Sequence, residues 1–360
     1  MNRRDFLRTS GLATAGFALP TSRLLAAEEG EGAWRQFEVT TRIEILKPVG
    51  TTRAWVPVPL TEDRSWLKGM GNTFEAEGGH SRFALDPRYG AGIVCAEWAE
   101  GVKPVLLVKS RFATRDVRVD LSRADNPIPE TPETLARYLA PTAHMQTTGA
   151  VKDLSDEVVK GARDDVEKAR AIYDWICDNT YRNPKTKGCG TGDVNFMIET
   201  KTYNGKCADL NALFTAMARS QGIPARDVYG IRVADSKLGY KSLGKSGDIT
   251  KAQHCRAEFY SRAHGWVPVD PADVRKVILE EGGGKKPDDP MVLSARKRLF
   301  GSWEMNWIAY NFSHDVTLPG ARDRKPLGFL LYPQCETADG LIDSLAPDQF
   351  RYRITAREIV

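Results

Sequence analysis

Apolar and polar positions alternate with a period of two through much of residues 30–122. In WRQFEVTTRIEIL, Phe37, Val39, Ile43 and Ile45 stand among polar neighbours, the pattern of a strand with one buried face. TTRAWVPVPL follows, and Pro57 and Pro59 call for an edge strand or a strand end, because proline cannot donate to a ladder. AGIVCAEWA and PVLLVKSRFATRDVRVDL continue the pattern, with turn residues between the runs. Together they predict a small β-sandwich.

The polar, proline-rich stretch SRADNPIPETPE reads as a linker, and the period changes after it. Thr131 is a candidate N-cap, followed by Pro132 and Glu133 in a first turn. In SDEVVKGARDDVEKARAIYDWICDNTYRN, positions Val166, Ala169, Ile172, Tyr173 and Ile176 follow helical spacing. LNALFTAMARSQG repeats it with Leu210, Leu213, Phe214 and Met217, and Gly222 closes the run. Strand-like segments return in ARDVYGIRV, HCRAEFY and WVPVD, residues 282–290 form a loop, and LGFLLYPQ and FRYRITAREIV close the chain. Trp303, Trp307 and Tyr310 are spaced for a core helix or a cleft wall, with core the simpler reading. Helices followed by strands within one unit predict an α+β domain. The expected layout is a leader over 1–27, a β-rich N-terminal domain over 28–125, an α+β domain over 126–320 and a C-terminal β extension over 321–360.

The leader changes how the charge is read. Arg3 and Arg4 form a pair, a mildly apolar run spans Gly11 to Pro20, and Ala26 and Ala27 offer small residues for cleavage. This order resembles a twin-arginine export signal, which implies a folded cargo and a periplasmic protein without stable membrane insertion after cleavage. The apolar run is too short to span a bilayer. The chain holds 51 Lys and Arg against 47 Asp and Glu. Residues 1–27 contain four of the arginines and one aspartate, so the remainder is 47 against 46. Nothing in that balance asks for a nucleic-acid partner.

The six cysteines, Cys95, Cys177, Cys189, Cys207, Cys255 and Cys335, show neither CxxC nor zinc spacing and are too dispersed for a disulfide scaffold. A Cys177–Cys189 bridge is one option in an oxidising compartment. Cys207 stands apart. It follows Gly205 at the start of an amphipathic helix, where unpaired N–H groups and the positive end of the dipole favour a thiolate and could stabilise an oxyanion. Taken alone, a cysteine is more often a buried structural thiol. A nucleophilic thiolate needs a base, and the base needs an orienting group. Of the five histidines, His254 opens the strand HCRAEFY, and WVPVD ends on Asp270. A hairpin centred on Arg262 would set His254 opposite Asp270, with Cβ atoms about 4.5–5.5 Å apart. Alternation turns Cys255, Ala257 and Phe259 to the core and His254, Arg256 and Glu258 to the other face, and a one-residue slip would destroy the arrangement. His264, in the turn, is the rival base and Asp273 the rival orienting group. Tyr203, Asn204 and Gly205 precede the nucleophile and are candidate substrate-binding residues.

Gly205-Lys206-Cys207, the helix closed by Gly222-Ile223-Pro224-Ala225-Arg226, the strand-borne His254, and Trp266 ahead of Asp270-Pro271 together resemble the transglutaminase-like superfamily over about residues 163–273. The resemblance implies a papain-like fold and cysteine-based acyl transfer, with Cys207 as nucleophile, His254 as proton shuttle and Asp270 as orienting group. Peptide or protein substrates, cell-wall peptides among them, would then be hydrolysed or passed to an amine, without cofactor or metal. Cys255 and Arg256 depart from the small and aromatic residues that often follow the family's histidine. Two other readings stay open. One is a non-catalytic binding or scaffold protein that keeps the fold. The other is a metal site of Cys207, His254 and Cys255, opposed by the opposite facing of neighbouring strand residues.

Overall fold

The computed structural model describes residues 32–359 apart from positions 126 and 128; the expected leader over 1–27 lies outside the described residues. The N-terminal strands are β1 (Arg35–Ile45), β2 (Thr52–Pro57), β3 (Leu67–Glu77), β4 (His80–Leu85), β5 (Gly92–Trp98) and β6 (Val105–Thr114). The helices are α1 (Pro132–Arg137), α2 (Ala150–Val158), α3 (Asp165–Asn179), α4 (Val194–Glu199) and α5 (Cys207–Ser220). Strands β7 (Ala225–Arg232), β8 (Gln253–Ser261) and β9 (Gly265–Val269) follow, then α6 (Pro271–Glu280) and α7 (Pro290–Arg298). The chain closes with β10 (Trp307–Asn311), β11 (His314–Val316), β12 (Leu327–Phe329), β13 (Gln334–Thr337), β14 (Gly340–Ile342) and β15 (Phe350–Ile359).

The fold is α+β, a β-sandwich joined to a papain-like core in which the helix carrying Cys207 packs on an antiparallel sheet. One sandwich sheet runs β15-β1-β6-β3, with the short strand Gly247–Asp248 outside β15, and the other runs β14-β13-β2-β5-β4. The alternation in β1 has its expected consequence: Phe37, Val39, Ile43 and Ile45 are all buried. Ile43 and Ile45 meet Val56, Trp98, Leu106 and Phe350 between the sheets. Pro57 marks the end of β2, which lies in the middle of its sheet rather than at an edge. The residues expected as a C-terminal extension supply β13, β14 and β15 to the two sandwich sheets, with β15 paired to β1 from Gln36↔Ile359 to Ile45↔Phe350. The pattern reading passed over β3 and β4. Both are edge strands with mostly exposed residues, and edges are where polar residues replace the alternation that marks a strand.

In the second unit the sheet order is β9-β8-β7-β10. Thr131 caps α1, its hydroxyl accepting from the Thr134 N–H at 3.1 Å. The stretch read as one helical run divides into α2 and α3 around Gly161, whose φ of +91° leaves the helical region. Asp164 then caps α3, accepting from the Glu167 N–H at 2.8 Å. Trp303 and Trp307 are buried as expected but sit on strands, Trp303 in the short Ser302–Trp303 segment and Trp307 opening β10. Helix α5 is buried along its whole length between the sheet and α2, α3 and α6, so both ends of the helix that carries Cys207 are fixed by packing. Among the described residues no helix is long and apolar enough to cross a membrane.

Because Phe37 is fully buried and stacks on Phe112 at 5.6 Å across β1 and β6, Phe37→Ala is expected to lower unfolding free energy by about 3–5 kcal/mol, measured by urea denaturation followed through tryptophan fluorescence.

Candidate active site

Cys207 is the first residue of α5, and the loop around it is built on a neighbouring carboxylate. Asp209 stands at the third helical position, where an acidic side chain can reach back to the N-cap. It accepts from the N–H groups of Lys206 at 2.8 Å, Thr191 at 2.9 Å and Gly192 at 3.0 Å. The same carboxylate explains two glycines. A Cβ on Gly190, whose φ is +99°, would fall 1.8 Å from Asp209 Oδ2, and one on Gly205 would fall 2.2 Å from it. The Ala208 N–H donates to the Cys189 carbonyl at 3.0 Å, which ties the 189–192 loop to the first turn. The preceding segment is pinned by Tyr181 N–H to the Tyr203 carbonyl at 3.0 Å and Asn183 N–H to the Gly205 carbonyl at 2.8 Å.

His254 and Asp270 meet, by a different register from the expected one. The β8–β9 hairpin pairs Ser261 with Gly265 and Ala257 with Val269, so its centre is Ala263. Asp270 therefore lies beyond the last paired residue, in line with Arg256 rather than opposite His254. The change of register preserves the alternation, so Asp270 still faces the side shared by His254 and Arg256 and reaches His254 on the diagonal. His254 Nε2 lies 2.7 Å from Asp270 Oδ2 and 3.4 Å from Asp273 Oδ2, which leaves Nδ1 for the Cys207 sulfur. The other Asp270 oxygen accepts from the Asp273 N–H at 3.0 Å, capping α6, and from Asn211 Nδ2 at 3.3 Å. Asn211 belongs to α5, one turn past Cys207, and also donates to the Cys255 carbonyl at 2.7 Å. Trp307 Nε1 donates to the His254 carbonyl at 3.0 Å.

The charges balance. Arg232 binds both Asp273 oxygens, at 2.6 and 2.9 Å. Arg256, 3.7 Å from Asp270, lies over the Trp307 ring at 4.6 Å and donates to the Glu304 carbonyl at 3.0 Å. Arg232, Arg256 and the His254 imidazolium face Asp270, Asp273 and the Cys207 thiolate, all buried. Hydrogen bonds from the Cys189 and Cys255 thiols, opposed by burial and joined by the bond and charge of His254, hold the Cys207 thiol well below the ordinary value. Burial and the Arg232 charge push the His254 imidazole down, but Asp273 and Asp270 outweigh them and raise it to about 9. Burial opposes ionisation of Asp273, yet the Arg232 guanidinium and His254 hold it well below the usual carboxylate range. Both shifts run toward a thiolate–imidazolium pair.

The remaining sequence candidates fall around this centre. Tyr203 packs edge-on against Trp175 at 5.3 Å, and the Asn204 side-chain oxygen accepts from Asn183 Nδ2 at 3.0 Å. Both are half-buried, while Gly205 is buried beneath them. His264 stays in the hairpin turn, 3.2 Å from Ser261 Oγ. All six cysteines are free, so Cys177 and Cys189 are not bridged. Cys255 faces the core as expected, and it does so beside Cys189 and Cys207, the three sulfurs lying within 4.8 Å of one another. His254, Asp270 and Asp273 form a second group of donor atoms equally close together, but its carboxylates are already engaged by Arg232, Arg256 and Asn211. Asp209, Asn211, Arg232 and Cys189 were missed by motif reading. Only Asp209 and Asn211 left a signal, as polar residues on the first turns of an otherwise apolar helix.

Comparison with known proteins places this geometry. The family model of the transglutaminase-like superfamily matches residues 152–271, the span that carries Cys207, His254 and Asp270. An uncharacterized protein of Haemophilus influenzae is 33% identical over 341 residues, covering 90% of this chain and 91% of its own. Among solved structures, a candidate cysteine protease from Cytophaga hutchinsonii superposes with a TM-score of 0.51 at 17% identity, over 82% of this chain and 97% of the other. The periplasmic domain of TgpA from Pseudomonas aeruginosa aligns over 68% of this chain and 91% of its own at 18% identity, with a TM-score of 0.35. The chain belongs to the transglutaminase-like superfamily. A cysteine-type enzyme is the broad class that this family defines.

Two outcomes check the site. Asp209→Ala leaves three backbone N–H groups without their acceptor and is expected to cost at least about 2 kcal/mol of stability, read by thermal and urea unfolding. Cys207 should alkylate with iodoacetamide at a rate whose midpoint lies well below pH ~8.5, the value for an ordinary thiol. His254→Ala should raise that midpoint, as followed by mass spectrometry of the labelled peptide.

Proposed function

We propose that the protein is a thiol-dependent acyl-transfer enzyme acting on amide or peptide bonds, with Cys207, His254 and Asp270 as its catalytic residues. The observation that carries this reading is the buried His254–Asp270 contact at 2.7 Å beside a cysteine at a helix N-terminus whose thiol is shifted toward its ionised form. Cys207 attacks the carbonyl carbon as a thiolate already formed. The Cys207 N–H, at the first position of α5, faces the developing oxyanion, while the Ala208 N–H stays on the Cys189 carbonyl. The His254 imidazolium then gives its proton to the leaving amine, which leaves a thioester on Cys207 and a neutral imidazole. That imidazole takes a proton from water or from an acceptor amine as it attacks the thioester. Asp270 keeps the ring oriented and compensates its charge, while Asp273 and Arg232 hold the field around it. Tyr203, Asn204 and Gly205, on the segment leading into Cys207, are the proposed substrate-contacting residues.

A twin-arginine leader at Arg3 and Arg4 supports an exported, periplasmic enzyme, and peptides, protein side-chain amides or cell-wall peptides are the substrates available there. A non-catalytic scaffold is the competing reading, favoured by the small exposure of Cys207, 4%. Incubation of the full chain with an activated acyl donor such as a p-nitrophenyl ester, followed by acid quench and intact-mass analysis, separates the two. The enzyme reading expects an acyl adduct on Cys207 that is absent from Cys207→Ala and lost on adding hydroxylamine. A scaffold would form none. Turnover of a responsive substrate should fall on the alkaline side near pH 9, since His254, raised to about 9, loses above that value the proton the leaving group requires.

A further inference from the structure

Acyl transfer uses one thiol, yet three meet at the start of α5. Cys189 comes from the loop held by Asp209, Cys207 from the helix and Cys255 from β8, and their sulfurs lie within 4.8 Å of one another. All are buried and free. Burial alone would make them ordinary core residues; their protonation states and their backbone settings make them more than that. The hydrogen bonds that hold Cys207 ionised come from the other two. The bond to Cys207 pushes the Cys189 thiol up, and burial together with bonds to both neighbours pushes the Cys255 thiol up. The shifts therefore run toward one thiolate flanked by two protonated thiols.

The two flanking thiols are mounted differently. Cys255 sits within β8, paired with Tyr229, and its carbonyl is held by Asn211. Cys189 lies on a loop, but its carbonyl accepts from the residue directly after Cys207, and its N–H donates to the Tyr332 hydroxyl at 2.8 Å. Its sulfur also lies 3.4 Å from the Gln253 carbonyl oxygen, so its single S–H is shared between that acceptor and the Cys207 sulfur. The backbone at Cys189 thus lies directly against the first turn that carries Cys207, with the two sulfurs already within 4.8 Å. A disulfide needs close Cα atoms as well as close sulfurs, and a backbone hydrogen bond between these two segments supplies that closeness.

We propose that Cys189 is a resolving thiol for Cys207, and that the pair is a site of reversible oxidation by hydroperoxides. The proposal rests on the reading of Cys207 as a reactive thiolate. In the first step the Cys207 sulfur attacks one peroxide oxygen, the O–O bond breaks, and the leaving alkoxide or hydroxide takes the proton of His254. Cys207 becomes a sulfenic acid and the peroxide is reduced to an alcohol or water. In the second step the Cys189 sulfur displaces the sulfenic hydroxyl, which leaves as water with the Cys189 proton, and the S–S bond forms. The two electrons gained by the O–O bond come from the two sulfurs. A dithiol reductant returns both thiols by exchange. Hydrogen peroxide is near water in size, so it can reach a thiolate that is 4% exposed. The bond would remove the nucleophile while sparing Cys207 from irreversible sulfinic and sulfonic acids.

The test uses the full chain, fully reduced, treated with an equimolar amount of hydrogen peroxide. Remaining thiols are then alkylated and the chain is cut with trypsin without reductant. The expected product joins the peptides 188–201 and 207–219 with loss of two hydrogen atoms, and it disappears with dithiothreitol. Cys189→Ser, given two or more equivalents of peroxide because sulfinic acid consumes two, should accumulate sulfinic acid on 207–219 instead. Sulfinic acid on wild-type Cys207 without the linked product, or a link from 207–219 to the 252–256 peptide that carries Cys255, overturns the proposal. So does a tightly held soft metal ion, at one per chain, that shields all three thiols of the untreated protein from alkylation. The readout is mass rather than turnover. A linked product without any acyl adduct would leave this proposal standing and remove the acyl-transfer reading, and an acyl adduct without the link would do the reverse.

Discussion

The site depends on how one carboxylate is shared. Asp270 stands where β9 ends and α6 begins, fully buried, and its two oxygens serve four neighbours. One oxygen receives the His254 ring and has Arg256 nearby; the other closes the first turn of α6 and accepts from Asn211 on α5. The sheet, His254, the capped α6 and the helix that carries Cys207 are joined through this group. Burying such a group costs several kcal/mol unless its partners are in place. Arg232, bound to Asp273, and Arg256, beside Asp270, carry that compensation.

The position after the base illustrates the same economy of charge. A small residue and an aromatic often follow the superfamily's histidine, but this chain has Cys255 and Arg256. Neither is a passive exchange. Strand alternation sends Cys255 to the thiol group and Arg256 toward Asp270, so a single dipeptide touches both sides of the site. Stacking on Trp307 gives the Arg256 guanidinium a desolvated seat while its charge stays near Asp270.

Much of this was legible in the sequence because it is local. The helix starting at Cys207, its end near Gly222, the capping Thr131 and the buried face of β1 all follow from short-range period and cap chemistry. The pairing of His254 with Asp270 was legible as a contact but not as a register. A three-residue turn ending at Gly265, with φ +70°, shifts the hairpin in a way that pattern alone does not fix. The rest was hidden for definite reasons. Edge strands β3 and β4 bury little, β3 resting only the half-buried Phe74 and Ala76 on the core, so their alternation is faint. Arg232 and Cys189 reach the site from elements distant in sequence, and a period says nothing about which distant elements meet. Asp209 occupies a capping position whose N-cap is Lys206, so no familiar cap pattern announced it.

The pairing of β1 with β15 bears on how the chain is made. Arg35 to Ile45 leave the ribosome early, and the strand that completes one side of them is Phe350 to Ile359. Until those last residues are free, one edge of β1 has no partner and Phe350 is missing from the core around Ile43. Closing a loop of this length is entropically expensive and slow, so the sandwich reaches its final form only after translation has passed nearly the whole described chain. The nascent protein therefore holds an open sheet edge through most of its synthesis, a stage at which a holding chaperone would have something to grip.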